Sequence, residues 1–101
     1  MGTFARRKPK RLKEKLVRIR KDLGDSQNGL LRRLGLNDEL TQSDLSAFER
    51  GTREPPLHVL LRYSELARVW VNVLIDDAVD LPEKLPSRIM SEGIKKQSKK
   101  K

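Results

Sequence analysis

Residues 26–51 read S-Q-N-G-L-L-R-R-L-G-L-N-D-E-L-T-Q-S-D-L-S-A-F-E-R-G. Ser26 suits an N-cap, because its side-chain oxygen can accept a backbone N–H that a helix leaves without a partner at its start. Leu30, Leu31 and Leu34 follow as one buried stripe, and Gly35 stops the run. After a link over 36–40, Thr41 and Asp44 have the spacing of a capping box, with Asp where Glu or Gln is commoner. Leu45 and Phe48 point inward from the helix so begun, and Gly51 ends it. The stretch predicts two short helices held at an angle by a turn.

Upstream, Leu12, Leu16, Ile19 and Leu23 recur at three- and four-residue spacing beside Val17, one face of an amphipathic helix that starts at Arg11 and stops at Gly24-Asp25. Downstream, Pro55-Pro56 opens a fourth helix in which Leu57, Leu60, Leu61 and Ser64 share a face that Tyr63, Leu66 and Ala67 widen. Val69 to Ile75 is rich in β-branched residues and alternates like a strand, yet Val71, Leu74 and Ile75 also fit helical spacing. With no second strand to pair with it, the segment is expected to be a short fifth helix. Pro82 and Pro86 are expected to end the fold. The expected class is all-α: a basic arm over 1–10, a helical domain over 11–81 and a basic tail over 82–101.

A chain of 101 residues holds one small domain with tails, too little for a deep catalytic cleft. It has no cysteine, which excludes disulfides and thiolate metal sites and suits a reducing cytosol. A lone His58 builds neither a metal site nor a nucleophile-base pair. There is no Gly-rich phosphate loop after a strand. The one carboxylate cluster, Asp76, Asp77 and Asp80, reads as a solvated helix end rather than a cation site. No enzyme, metal or cofactor is expected. No apolar run is long enough to span a membrane, and residues 1–21 lack the apolar stretch of a signal peptide, so a soluble intracellular protein is expected. The aromatic pairs on strands that stack unpaired RNA bases are missing too.

The net charge of +9 is unevenly placed. Residues 1–21 carry ten Lys/Arg against Glu14, and residues 82–101 carry seven against Glu83 and Glu92. Residues 22–81 have eleven acidic and six basic side chains. Cationic ends on an acidic middle suit a polyanion binder, because each neutralised phosphate releases condensed counterions.

The five predicted helices, with the 26–51 pair in the middle, resemble the helix-turn-helix domain of the phage repressor and Cro family (lambda-repressor-like, XRE type), over about Arg11 to Leu81. The resemblance implies a compact five-helix domain that reads double-stranded DNA as a transcriptional regulator, in the role of a repressor, with the third helix in the major groove. It implies base contacts from Gln42, Ser43, Ser46 and Ala47, with Gln42 against the edge of adenine. Gln27, Thr41, Arg50, Thr52 and Arg53 match positions that meet the DNA backbone. Arg20 and Glu49 match an ion pair that ties the first helix to the third. The arm residues Arg6, Arg7, Lys8, Lys10 and Arg11 are expected to reach the adjacent minor groove. A homodimer on DNA is expected, joined through Val69 to Leu81, in a prokaryotic or phage cytoplasm near the nucleoid. The competing reading is an antitoxin or adaptor that uses the same fold to bind a protein. The chain departs from the commonest family pattern in about four extra residues around Leu36-Asn37-Asp38-Glu39, which either enlarge the turn or lengthen the third helix. Arg68 and Trp70 stand where the family often has a glycine and a small cap. An exposed Trp70 would mark a partner surface, but the chain's poverty in large side chains favours the core.

Overall fold

A computed structural model of the chain describes residues 9–86. Among the described residues the regular elements are five helices: α1 (Leu12–Leu23), α2 (Gln27–Leu34), α3 (Gln42–Arg50), α4 (Leu57–Ala67) and α5 (Val71–Ile75). Ser26 caps α2 by accepting from Gly29 N, and Thr41 and Asp44 form a complete capping box on α3. The first three helices end in a left-handed glycine, Gly24, Gly35 and Gly51. Among the described residues no helix is long and apolar enough to cross a membrane.

The residues between α2 and α3 form a turn of their own and leave α3 at nine residues. Leu36 O accepts from the backbone N–H of both Glu39 and Leu40, at 3.0 and 2.9 Å, which winds residues 36–40 into one tight turn. Leu36 itself is buried and plugs the turn into the core. The Glu39 carboxylate meets the His58 ring, fastening the turn to the start of α4.

The core is an aliphatic cluster from every helix: Leu16 and Ile19, Leu30, Leu45 with Phe48, Val59 with Tyr63, and Leu74. Tyr63 is fully buried with an unpartnered hydroxyl, and burial raises its pKa.

Three sequence expectations are corrected here. The buried face of α4 is Val59, Leu60, Tyr63, Ser64 and Ala67, while Leu57 is 83% exposed and Leu61 49%. The inward stripe is thus rotated from the one expected: Leu57 sits in the first turn of α4, where the chain has only just left the solvent-facing Pro56. Trp70 lies outside the core, 56% exposed at the start of α5. The connection that puts it there turns through Arg68, whose φ of 62° is the only positive value at a non-glycine residue among the described residues. A side chain held left-handed costs roughly 1–2 kcal/mol, so packing of α4 against α5 over-determines the corner. Finally, the fold does not stop at Leu81: Leu81 is buried and Leu85 packs against the core.

The longer domain is explained by three basic side chains, Arg11 just before α1 and Lys15 and Arg18 within it. Lys15 is 4% exposed, and its Nζ donates to Val73 O, Asp76 O and Val79 O at 2.7, 2.9 and 2.6 Å. One ammonium therefore satisfies the carbonyl end of α5 and the turn after it. One turn earlier, Arg11 donates to Asp77 O at 2.7 Å and pairs with Asp80. One turn later, Arg18 donates to Pro82 O and Glu83 O. In return the Asp77 carboxylate accepts the backbone N–H groups of Lys10 and Arg11, both at 2.9 Å, and so ties the residues that lead into α1 to the far end of the domain. Those two N–H groups, Lys10's first, hold the Asp77 carboxyl below the usual range.

Candidate nucleic-acid interface

α3 starts with Thr41 and runs Gln42, Ser43, Asp44, so its first turn carries its polar face. Gln42 and Ser43 are exposed, and Ser46, one turn on, is partly exposed. Ala47, expected beside them, is 7% exposed and does not share their display. The cause is the chain after α3: Thr52 N, Arg53 N and Thr52 Oγ1 all donate to Ala47 O, at 3.0, 3.4 and 3.3 Å, folding the loop back over that helix turn.

Four side chains are strung from the interior to this face. Arg20 binds Glu49 with two parallel hydrogen bonds, Nε to Oε2 at 2.8 Å and Nη2 to Oε1 at 3.1 Å. Both side chains are largely buried, Arg20 at 19% and Glu49 at 6% exposure. Gln27 Nε2 then donates to Glu49 Oε1 at 3.0 Å, and Gln42 Nε2 donates to Gln27 Oε1 at 3.1 Å. The direction of this chain follows from charge. A carboxylate only accepts, so Gln27 must turn its NH2 to Glu49 and its carbonyl to Gln42, which must then donate. Gln42 keeps its carbonyl oxygen and one N–H unused, an acceptor beside a donor on an exposed amide. That pair matches the N6 donor and N7 acceptor of adenine in the major groove.

The remaining backbone-contact candidates are partly occupied. Arg50 Nη1 reaches back to Ser46 Oγ. Arg53 donates to Asp44 Oδ1 at 2.6 Å and lies over the Phe48 ring, 5.3 Å from its centroid. The Thr41 backbone N–H, with the Arg53 guanidinium next, holds the Asp44 carboxyl below its ordinary range. Asp44 is thereby turned inward, which answers the repulsion a free carboxylate would meet from phosphates.

Arg6, Arg7 and Lys8 lie outside the described residues. Lys10 is exposed at the root of the arm. Arg11 is corrected from a free arm residue to a structural one, since its backbone N–H and guanidinium are committed to Asp77 and Asp80. Lys15 and Arg18 share that fate, so much of the positive charge read along α1 is spent inside the domain. Spacing offers one hint of it: 11, 15 and 18 fall on one helical face, opposite an acidic cluster near the end of the domain. Their partners are mostly backbone carbonyls, which carry no sequence signal.

Compared with known proteins, the chain matches no family model, no curated relative and no solved structure.

Proposed function

We propose that this protein binds double-stranded DNA sequence-specifically, as a helix-turn-helix regulator of transcription in the manner of the phage repressor and Cro family, with α3 in the major groove. The observation that carries the reading is the outward amide of Gln42, whose orientation is dictated through Gln27 by the buried Arg20–Glu49 pair. A surface glutamine without a task has no need of such a scaffold, whereas reading a base edge requires the donor and the acceptor in known places. Gln42 faces adenine, and Ser43 and Ser46 meet neighbouring base edges. Thr41, Thr52 and Arg50 meet the sugar-phosphate backbone, as does Gln27 with the second N–H of its amide.

One short helix reads too few base pairs for a useful specificity ratio, so two copies bind half-sites about one helical turn apart. Trp70 and Ile75, exposed at 56% and 41%, provide the apolar surface for that pairing. The protein acts as a repressor in the cytoplasm, at the nucleoid.

The test is selection of bound duplexes from a random pool. A recovered palindrome containing A·T at a fixed position in each half supports both the reading and the dimer, and a pool that stays random refutes sequence-specific binding. The adaptor reading is favoured by Leu57 and Leu61, exposed leucines one turn apart on α4, and predicts an unenriched pool.

A further inference from the structure

The root of the arm and the loop after α3 enclose a cleft of 740 Å³ whose walls include Lys10 and Lys13 on one side and Thr52 and Arg53 on the other. Its floor is Leu12 and Phe48. Among the described residues, neither the Lys10 nor the Lys13 ammonium has a carboxylate partner, in contrast to Arg11, Lys15, Arg18 and Arg20, which are all committed within the domain.

Lys13 is also placed with care. Its stem lies over Gly51 so closely that a Cβ there would sit 2.7 Å from Lys13 Cδ. Gly51 has a φ of 80°, so a bare left-handed residue at this point both ends α3 and makes room for the lysine. The lining stays net positive, with Lys10, Lys13 and Arg53 against the two carboxylates Glu54 and Asp77. Asp77 uses both oxygens on backbone N–H groups, and Glu54 is itself engaged.

We propose that this cleft is a binding site for a backbone phosphate of duplex DNA, with the ammonium groups of Lys10 and Lys13 supplying both its charge and its hydrogen-bond donors. The site rests on the reading of α3 as the helix in the major groove. Its position suits that reading. Arg53 spans from the cleft to Asp44, in the first turn of α3. Nine residues of helix measure about 13 Å, close to the roughly 12 Å width of the major groove. When the start of α3 meets base edges, the cleft at its other end lies against the strand that borders the groove. The site carries no sequence information and fixes register, as phosphate contacts do.

The experiment measures affinity of the full chain for its selected duplex and for a random duplex across a salt series. The variant is Lys10→Gln with Lys13→Gln; the control is Lys21→Gln with Lys84→Gln, which removes two other lysines that also lack carboxylate partners. The cleft variant is expected to flatten the salt slope by roughly 0.9, the value for one lost phosphate contact, on both duplexes. The control should change it by less than half as much. Lys10→Arg with Lys13→Arg should keep the original slope, and unchanged melting temperatures show that folding is not the cause. Equal slopes for cleft variant and control, with sequence preference intact, overturn the site alone. Failure of the unaltered chain to bind any duplex overturns the DNA reading and the site with it.

Discussion

The ammonium of Lys15 lies 2.6 Å from the carbonyl oxygen of Val79, although sixty-four positions separate the two residues in the chain. Burial, and next the neighbouring Arg11, pull the pKa of this lysine down, while the charges of Asp77, Asp80 and Asp76 oppose them. Lys15→Met keeps the stem and removes the donor, leaving the end of α5 with orphaned acceptors. Thermal and urea unfolding should show a loss of at least roughly 2 kcal/mol, in the range of a charged hydrogen bond or an unsatisfied buried group. A loss within about 0.5 kcal/mol, typical of a surface change, would mean that the carbonyls find water instead.

Breaking the Arg20–Glu49 pair strands a largely buried charge. Arg20→Met should cost about 3 kcal/mol, the lower end for a broken buried pair, because Arg20 keeps some exposure. The double change with Glu49→Leu should recover much of that loss in a thermal unfolding cycle. Strict additivity of the two single effects would contradict the coupling.

Glu49→Gln tests the polarity of the chain that ends at Gln42. An amide at position 49 can turn either its oxygen or its nitrogen to Gln27, so the direction of both glutamines is no longer dictated. Discrimination at the base facing Gln42 should relax, while binding to random duplex stays the same. Gln42→Ala should cost roughly 1–3 kcal/mol on the selected site and little on random DNA. Competition titrations with single-base variants of the site measure both.

Acid stability should depend on Asp77. Its folded pKa is held below the ordinary aspartate value of 3.8 by the backbone N–H groups of Lys10 and Arg11. A depressed carboxyl contributes stability that is fully present above the unfolded pKa and is lost as pH falls through the folded one. Asp77→Asn should therefore lower the melting temperature at pH 7, and the gap to the unaltered protein should close as the pH is taken well below 3.8. A gap independent of pH would show that the carboxyl's charge is not what holds the residues leading into α1.

Trp70 supplies a test of pairing. With more than half its surface exposed, Trp70→Ala should leave the melting temperature of the monomer nearly unchanged and weaken dimer formation on DNA. Light scattering on the saturated complex should then report a lower mass. A strict monomer for the unaltered chain, free and bound, would remove the dimer from the proposal.

Local chemistry determined a large part of this protein. Ser26, the Thr41–Asp44 box and Gly24, Gly35 and Gly51 mark helix ends through interactions within a few residues, and they bound the same helices in the structure. The apolar stripes of α1, α2 and α3 were legible for the same reason, since helical periodicity is a near-neighbour property. The candidate glutamines came from the family resemblance, through their places next to those caps. The tertiary structure alone decided where the charges of α1 go, because Arg11, Lys15 and Arg18 bind carbonyls that any sequence would carry there. It decided that residues 36–40 wind into the turn around Leu36, since a buried leucine anchors them more firmly than an extra helical turn of Asn, Asp and Glu could. It turned Trp70 outward through a left-handed Arg68 and covered Ala47 with the loop that follows, both set by packing between distant segments. Caps and periodicity act over one or two helical turns, whereas the exposure of a side chain depends on what folds back upon it.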